Sequence, residues 1–332
     1  MLEPETREIL ACPICHGALT EANSDELSEG AKEREGEVDD LEERLVCEPC
    51  ERWFPLSNGL PFLLPEHEDN LEGEKLNTRH QNLPGIAPKK VQRFKWYYNH
   101  PSKRGGIEES KGGVWEDFGY RDMGGVVLDI GAGDRNALDT LGKVDRYVTM
   151  DVIPRDQPTV VADAHRLPFK DGSFDSVVAR ALIEHVEEPE RVIAEVARVL
   201  KPGGVLKFSA PFMYPIHDAV DYHRFTIYAI KAMAERHGFE VMKLTSTGGY
   251  FGVLTQHVYQ GLRMVRDNID AKYEKKRFVR GLLRGLADIF GMIIYIPFYL
   301  LLPLDTKYRK IAKEKQGRIP FVKGYGAVYR KK

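Results

Sequence analysis

The middle of the chain alternates short β-branched runs with stretches in which apolar residues recur every three or four positions. This pattern predicts six strands and two clear helices. The predicted strands are Val126–Asp129, Arg146–Asp151, Thr159–Ala162, Phe174–Ala179, Gly204–Ser209 and Glu240–Leu244, and the predicted helices are Pro189–Leu200 and Thr226–His237. Strands that alternate with helices are typical of a doubly wound, mostly parallel sheet, so we expect an α/β core at residues 124–247.

The C-terminal part of the chain contains the longest uncharged run, Ile289–Leu304, which includes Pro297 and Pro303. A final strand is predicted at Ala327–Arg330, which makes residues 248–323 a helical, hydrophobic insertion and residues 324–332 a last strand with a basic tail. Sixteen helical residues rise about 24 Å, less than the roughly 30 Å of a bilayer's hydrocarbon core, and Pro297 is expected to kink them.

Basic residues flank this run on both sides. They are Arg277, Arg280 and Arg284 before it and Lys307, Arg309 and Lys310 after it. The pattern predicts a monotopic or re-entrant hairpin that contacts a membrane surface through residues 286–304, with its basic flanks attracted to anionic lipid. The alternatives are a buried core helix or an oligomer interface.

The overall charge is balanced but unevenly distributed. The 332 residues include 48 Lys plus Arg and 50 Asp plus Glu, a net charge of -2 that argues against a dedicated nucleic-acid binder. Residues 21–51 hold 13 acidic and 3 basic residues, whereas residues 263–332 hold 18 basic and 6 acidic ones. The two ends are therefore expected to face different surroundings.

All four cysteines, Cys12, Cys15, Cys47 and Cys50, lie in two Cys-x-x-Cys motifs. This spacing is typical of a tetrahedral zinc site rather than of a disulfide framework, and it predicts a zinc ribbon at residues 1–66 with a solvated acidic loop at Ser24–Glu43. The first residues lack the features of a signal peptide, so we expect a cytoplasmic protein, peripheral on the inner face of the membrane if the hairpin binds lipid.

Residues 67–123 are polar and rich in Gly and Pro, and are interpreted as a linker and cap segment. One helix is predicted around Lys89–Asn99. Its aromatic side chains could close over a ligand of the next domain or only pack against that domain; they are Phe94, Trp96, Tyr97 and Tyr98.

The first core strand opens into a glycine turn at Gly131 and Gly133, where backbone without Cβ atoms can approach a nucleoside. Asp151 ends the second strand and could accept hydrogen bonds from both ribose hydroxyls, and Asp163-Ala164 after the third strand could meet an adenine edge. Asn136 replaces the third glycine of the dinucleotide fingerprint, which argues against a pyrophosphate. The alternative makes Asp129 and Asp163 simple strand-end caps.

Four motifs in order resemble those of class I S-adenosylmethionine-dependent methyltransferases of type 11. They are Leu128-Asp-Ile-Gly-Ala-Gly133, the stretch from Asp163 to Asp175, Leu182-Ile-Glu-His-Val186 and Glu195-Val-Ala-Arg-Val-Leu-Lys-Pro-Gly-Gly204. The resemblance implies a Rossmann-like fold and S-adenosylmethionine as donor. It assigns Asp129, Gly131 and Gly133 to the methionine end, Asp151 to the ribose, Asp163 and Ala164 to the adenine, and Arg180 and Ala181 to the neighbourhood of the sulfonium. Arg135 departs from the family, where many members carry a third glycine.

The N-terminal unit resembles the zinc-ribbon family of the small activator subunit of tRNA and translation-factor methyltransferases. The resemblance covers residues 8–66 and rests on the two Cys-x-x-Cys motifs and on Phe54-Pro-Leu-Ser-Asn-Gly-Leu-Pro-Phe-Leu-Leu-Pro65. It implies a bound Zn²⁺.

The loop after the fifth strand supplies candidates for a general base. His217 or His223 could accept a proton from a hydroxyl acceptor, or the loop could be scaffold, with Asp221 or Thr226 capping the next helix and Arg224 as an ion-pair partner. His185 is a further candidate, although a position at a helix start favours a structural role. No Asn-Pro-Pro-Tyr follows the fourth strand, which argues mildly against amine acceptors.

Three functions are compatible with these residues. The first is O-methylation of a small-molecule, glycan or lipid-linked acceptor. The second is an RNA methyltransferase that recognises tRNA or rRNA through the ribbon and the basic tail, although the acidic loop counts against it. The third is a non-catalytic scaffold that binds the donor and a partner enzyme.

Overall fold

The computed structural model describes residues 2–23, 43–64, 123–133, 144–154, 158–216, 220–301, 303–304 and 322–332. The expected cap with its helix at Lys89–Asn99 and nearly all of the expected acidic loop lie outside these residues, as does Arg135.

The described residues form eleven strands and five α-helices. The strands are β1 (Thr20–Asn23), β2 (Glu43–Cys47), β3 (Arg52–Ser57), β4 (Leu60–Leu63), β5 (Val126–Ile130), β6 (Arg146–Asp151), β7 (Val160–Ala162), β8 (Phe174–Arg180), β9 (Leu200–Pro211), β10 (Phe239–Thr247) and β11 (Gly324–Lys331). The helices are α1 (Pro4–Ile9), α2 (Pro189–Val199), α3 (Ile227–Arg236), α4 (Tyr250–Lys272) and α5 (Arg277–Leu300).

The strands form one sheet in the order β1-β2-β3-β4-β7-β6-β5-β8-β9-β11-β10. The five central strands β7, β6, β5, β8 and β9 are parallel, and β11 runs antiparallel to both of its neighbours. The predicted α/β, Rossmann-like, mostly parallel architecture is confirmed. Because consecutive parallel strands end at the same edge, the loops after β5, β6, β7 and β8 all lie at that edge.

Five predicted strands are longer in the structure, and β9 and β11 show why. β9 begins at Leu200 instead of Gly204, because Leu200 pairs with Phe174 before a bulge shifts the register to Val205 opposite Ser176. A Cβ at Gly204 would lie 2.8 Å from the Lys201 carbonyl oxygen, so this bulge requires glycine. The last strand extends beyond the predicted Ala327–Arg330 because β11 has partners on both sides.

Helix α2 buries the predicted apolar stripe of Val192, Ile193, Val196 and Val199. Its polar residues Glu195 and Arg198 hold the chain that follows β7. Arg198 donates to the carbonyl oxygens of Leu167 and Phe169 at 2.8 and 2.6 Å, and Glu195 Oε2 accepts the Leu167 amide at 2.8 Å. This part of the fourth motif is therefore a structural clamp.

The N-terminal ribbon is joined to the central sheet by backbone pairing. Strands β1 to β4 form an antiparallel meander, and β4 then pairs in parallel with β7, with Phe62 opposite Val161 and Leu63 opposite Ala162. Ahead of the first cysteine pair, the Ala11 amide donates to the Pro168 carbonyl at 2.9 Å. Buried side chains of both parts belong to one hydrophobic cluster, so the ribbon and the core form one packed unit.

Helices α4 and α5 form an antiparallel hairpin between β10 and β11. Leu262 packs on Gly291, and the rings of Tyr259 and Tyr295 lie 6.3 Å apart. Helix α5 includes Pro297 and ends at Leu300. Among the described residues, the helices lack the combination of length and apolarity needed to cross a bilayer.

Candidate functional site

All eight residues predicted to contact the cofactor lie at or near the shared edge of the central sheet. Asp129, Gly131 and Gly133 belong to β5 and its turn, Asp151 ends β6, Asp163 and Ala164 follow β7, and Arg180 and Ala181 stand at the end of β8. The order β7-β6-β5-β8 places these four strand ends side by side. The structure therefore assembles the predicted set in one place.

The glycine turn after β5 leaves room for a ligand. Gly131 and Gly133 have φ values of 69° and 54°, a region that favours glycine. A Cβ on Gly131 would lie 3.0 Å from Leu182 Cδ1, whereas one on Gly133 would meet no heavy atom of the described residues within 4 Å. The Gly133 amide donates to Asp151 Oδ2 at 3.2 Å, so this open position lies beside the carboxylate assigned to the ribose.

The carboxylate after β7 also organises its own loop. Asp163 Oδ1 accepts the His165 amide at 2.9 Å and lies 2.7 Å from His165 Nδ1. The Glu188 amide donates to His165 Nε2 at 3.3 Å, so the ring proton is on Nδ1 and is donated to Asp163. Asp163 thus acts as a loop cap, as the alternative interpretation expects, and this contact also ties the β7 end to the start of α2.

Asp129 is a fully buried carboxylate with one oxygen unused. Its Oδ2 accepts from Tyr147 Oη at 2.5 Å and lies 3.5 Å from Arg180 Nη2. Its Oδ1 is buried and has no hydrogen-bond partner among the described residues. Burial raises the pKa of Asp129 to about 6, against the opposing effects of Arg180 and Tyr147. A buried acceptor without a donor fits a ligand that brings a cationic donor, such as the ammonium group of a methionine moiety.

The loop after β9 is held in place by Arg224. Its guanidinium donates to the carbonyl oxygens of Tyr214 and Pro215, both at 3.0 Å, and pairs with Asp221. Thr226 Oγ1 accepts the Ala229 amide at 3.2 Å and caps α3. Arg224 and Thr226 therefore have the scaffold roles that the sequence offered as one alternative.

Of the three histidines considered as a general base, the structure describes His223 and His185. His223 Nε2 lies 3.3 Å from the Glu187 carbonyl oxygen, which can only accept, so Nε2 carries a proton. His217 lies outside the described residues. His185 lies in a turn, and the expected position at a helix start is wrong because α2 begins only at Pro189.

Glu184 is a residue that sequence reasoning missed. It is fully buried, and neither carboxylate oxygen has a hydrogen-bond partner among the described residues. Burial raises its pKa to about 7, and His185 Nε2 lies 3.7 Å from its Oε1. Its carbonyl oxygen accepts the amides of Tyr222 and His223 at 2.7 and 3.3 Å, which joins the loops after β8 and β9. An acidic residue inside the otherwise apolar Leu182–Val186 segment was the available signal.

The four cysteine sulfurs converge in the ribbon. All lie within 4.8 Å of one another, and the Sγ atoms of Cys12 and Cys50 are 3.9 Å apart, far beyond a disulfide bond of about 2.05 Å. A tetrahedral ion with metal–sulfur distances of about 2.3 Å requires sulfurs about 3.8 Å apart. The predicted metal residues therefore have the right spacing for one tetrahedral ion.

Backbone amide donors and the lowered pKa of Cys15 also fit a site of deprotonated cysteines. The amides of Ile14 and Gly17 donate to the sulfurs of Cys12 and Cys15, both at 3.4 Å. A hydrogen bond from Cys50, together with the Gly17 amide, lowers the pKa of Cys15 to about 7, whereas burial raises the pKa of Cys47. Such amide bonds stabilise the deprotonated sulfur that binds a metal.

Comparison with known families agrees with both parts. Residues 128–208 match the family model described as a methyltransferase domain, and residues 3–59 match the model of Trm112p-like proteins. The chain joins a methyltransferase domain to a Trm112p-like domain. The first match contains the strand ends described above, and the second contains the four cysteines.

The similarity to two curated relatives covers a short part of each protein. Demethylmenaquinone methyltransferase of Renibacterium salmoninarum is 39% identical over 80 residues, which is 23% of this chain and 33% of that protein. The ubiquinone/menaquinone biosynthesis C-methyltransferase UbiE of Citrobacter koseri is 41% identical over 71 residues, which is 20% of this chain and 28% of that protein. The chain thus spans a third or less of the length of these relatives.

Solved structures with a similar fold include a complex between the Haloferax volcanii Trm112 methyltransferase activator and a candidate methyltransferase. The sequence identity is 21% and the TM-score 0.38, and the match covers 46% of this chain and 78% of that one.

The buried Glu184 predicts a pH-dependent stability. Glu184 has a pKa of about 7 in the folded protein, against an ordinary value of 4.5. The folded protein is therefore destabilised at any pH at which this glutamate would be ionised in the unfolded chain. Stability should therefore fall as the pH rises from about 4 to 8, and Glu184→Gln should remove about 2 kcal/mol of the loss between pH 5.5 and pH 8. Urea unfolding of both proteins at pH 5.5 and pH 8 measures the difference.

Glu187→Gln is the matched control, because Glu187 is exposed and lies three residues along the same loop. It should follow the wild-type pH dependence. An unchanged pH slope in Glu184→Gln would show that Glu184 is not the group responsible.

Proposed function

We propose that the chain transfers a methyl group from S-adenosylmethionine to an oxygen of a small-molecule, glycan or lipid-linked acceptor. The observation that supports this most directly is the row of four parallel strand ends. There the glycine turn lies beside Asp151, and Asp129 has a buried oxygen without a hydrogen-bond partner among the described residues. The methyltransferase domain match over the same residues supports the choice of donor.

Three carboxylates would each bind a different part of the donor. Asp129 would accept from the ammonium group of the methionine moiety, Asp151 from the two ribose hydroxyls, and Asp163 from the exocyclic amine of adenine. The sulfonium would then lie near Arg180 and Ala181. A cationic donor suits this edge, because the three carboxylates lie on consecutive strands.

In the proposed reaction the acceptor oxygen attacks the methyl carbon in line with the sulfur. The S–CH₃ bond breaks as the O–CH₃ bond forms, S-adenosylhomocysteine leaves, and the hydroxyl proton passes to a base or to water. Because the donor is already activated by its positive charge, the protein mainly aligns the two reactants and excludes water. His223, through Nδ1, or His217 would take the proton.

The names of two curated relatives support a small-molecule acceptor. The curated relatives are named for quinone biosynthesis, and quinone precursors are small molecules. One of them is named as a C-methyltransferase, so carbon is the other acceptor atom to consider. RNA is a second candidate acceptor, favoured by the Trm112p-like match at residues 3–59.

We further propose that Cys12, Cys15, Cys47 and Cys50 hold one Zn²⁺ in a structural role. Four thiolates leave no open coordination position for a substrate, so the ion would stabilise the ribbon rather than take part in methyl transfer. The ribbon in turn supports β7 through the pairing of Phe62 with Val161.

Asp151→Ala should weaken the binding of S-adenosylhomocysteine about 100-fold, because two hydrogen bonds to a partly buried carboxylate are lost. Isothermal titration calorimetry measures the change. Asp145→Ala is the matched control, since Asp145 is exposed just before the other end of the same strand. Equal affinities for wild type and Asp151→Ala would contradict the ribose assignment.

Incubation with donor labelled in the methyl group, together with separated lipid, small-molecule, RNA and protein extracts, tests the acceptor. We expect label in the lipid or small-molecule fraction with the wild type, and a loss of at least about tenfold with Asp151→Ala at subsaturating donor. Label that enters only RNA would establish the second candidate. Donor binding without label in any fraction would leave the non-catalytic scaffold.

The purified protein should contain one zinc per chain by mass spectrometry, and Cys47→Ser should lose it. Because ribbon and core share one hydrophobic cluster, the same variant should lower the melting temperature of the whole domain in a single transition. Leu45→Ala, a buried ribbon change that spares the thiols, should destabilise the protein but retain zinc. Zinc retained by Cys47→Ser would refute the proposed site.

A further inference from the structure

In a helix pair in water, apolar side chains usually face the partner helix and charged side chains face the solvent. Helix α5 shows the opposite arrangement. The charged residues inside α5 are Arg280, Arg284 and Asp288, which repeat every four positions and form one stripe. Arg284 pairs with Asp270 of α4, and Arg266 of α4 lies 3.2 Å from Asp288. The charges of α5 are thus directed toward its partner helix.

The opposite side of α5 is apolar along the whole helix. Its exposed side chains are Phe278, Leu282, Leu286, Ile289, Phe290, Ile293, Ile296 and Leu300. With about 100° per residue, these positions centre on the side of α5 that faces away from Arg284, Asp288 and Gly291. We call this surface the α5 stripe. A continuous exposed apolar surface about 36 Å long marks a contact with something outside the chain.

Basic residues surround the α5 stripe at both ends. Lys275, Lys276 and Arg277 form the turn before α5 and its first residue, and all three are exposed. The sequence after the helix adds Lys307, Arg309 and Lys310. Two copies packed stripe against stripe would place one basic end against another in either orientation, which disfavours self-association.

We propose that α5 lies in the plane of an anionic membrane surface, with the α5 stripe in the lipid and α4 above it. An apolar helix face with basic ends is the chemistry that binds the interface of a bilayer containing acidic lipids. Of the charges that such a helix would otherwise carry into lipid, those of Arg284 and Asp288 are paired with α4, and Arg280 donates to the Glu274 carbonyl oxygen in the turn before α5. This inference does not depend on methyl transfer.

Co-sedimentation of the full chain with vesicles tests the inference. Wild type should bind vesicles of equal parts phosphatidylglycerol and phosphatidylcholine, and should bind phosphatidylcholine alone more weakly. The double variant Phe290→Ser/Ile293→Ser should reduce partitioning about tenfold or more, because two large apolar side chains no longer enter the lipid. Light scattering and far-UV circular dichroism of each protein report oligomeric state and folding.

Met264→Ser/Val265→Ser is the matched control. Met264 is 64% exposed, as is Ile293, but lies on the side of α4 away from α5. This variant should bind vesicles as the wild type does. Equal binding by both double variants would overturn the proposal, as would an oligomer that dissociates in Phe290→Ser/Ile293→Ser while no protein binds vesicles.

A Trp at the stripe measures the depth of insertion. In Phe290→Trp, lipids brominated near the headgroup should quench the added fluorescence more than lipids brominated near the chain ends. The reverse order would exclude an in-plane helix.

Discussion

Backbone pairing between β4 and β7 is the contact on which the arrangement of the whole molecule depends. It converts a small cysteine-rich meander and a nucleoside-binding sheet into one sheet, and the two parts share one buried cluster. β7 has only three residues and ends immediately before Asp163. The position of that carboxylate is therefore determined from one side by the ribbon and from the other by β6.

The same edge of the sheet contains two carboxylates that cost stability in the absence of a ligand. Asp129 and Glu184 are both fully buried, and burial raises the pKa of each. Such groups persist where binding compensates for them, and Asp129 lies where a cationic donor would do so. Glu184 differs, since its backbone carbonyl joins two loops while its side chain has no hydrogen-bond partner among the described residues. Backbone contacts therefore help to hold this edge of the sheet, while its two buried carboxylates lack full compensation by other groups.

Much of this could be predicted from sequence because the signals are local. Short β-branched runs predicted β5, β6, β7 and β8 to within one residue at each end, and Cys-x-x-Cys spacing indicated the ribbon before its geometry was known. The bulge at Lys201–Gly204 was not predictable in this way, because the same Pro-Gly-Gly residues also end a helix. The pairing of β4 with β7 and the isolation of Glu184 depend on contacts between residues distant in the chain, which no local pattern contains.

The position of β11 has a consequence for how the protein is made. This strand lies between β9 and β10 in the sheet, yet in chain order it follows the whole α4–α5 hairpin. Until it is synthesised, β9 and β10 each present an unpaired edge, and the apolar helices are already outside the ribosome. A nascent chain in this state would be protected if the helices settled on a bilayer first, so translation close to a membrane would favour correct assembly over aggregation.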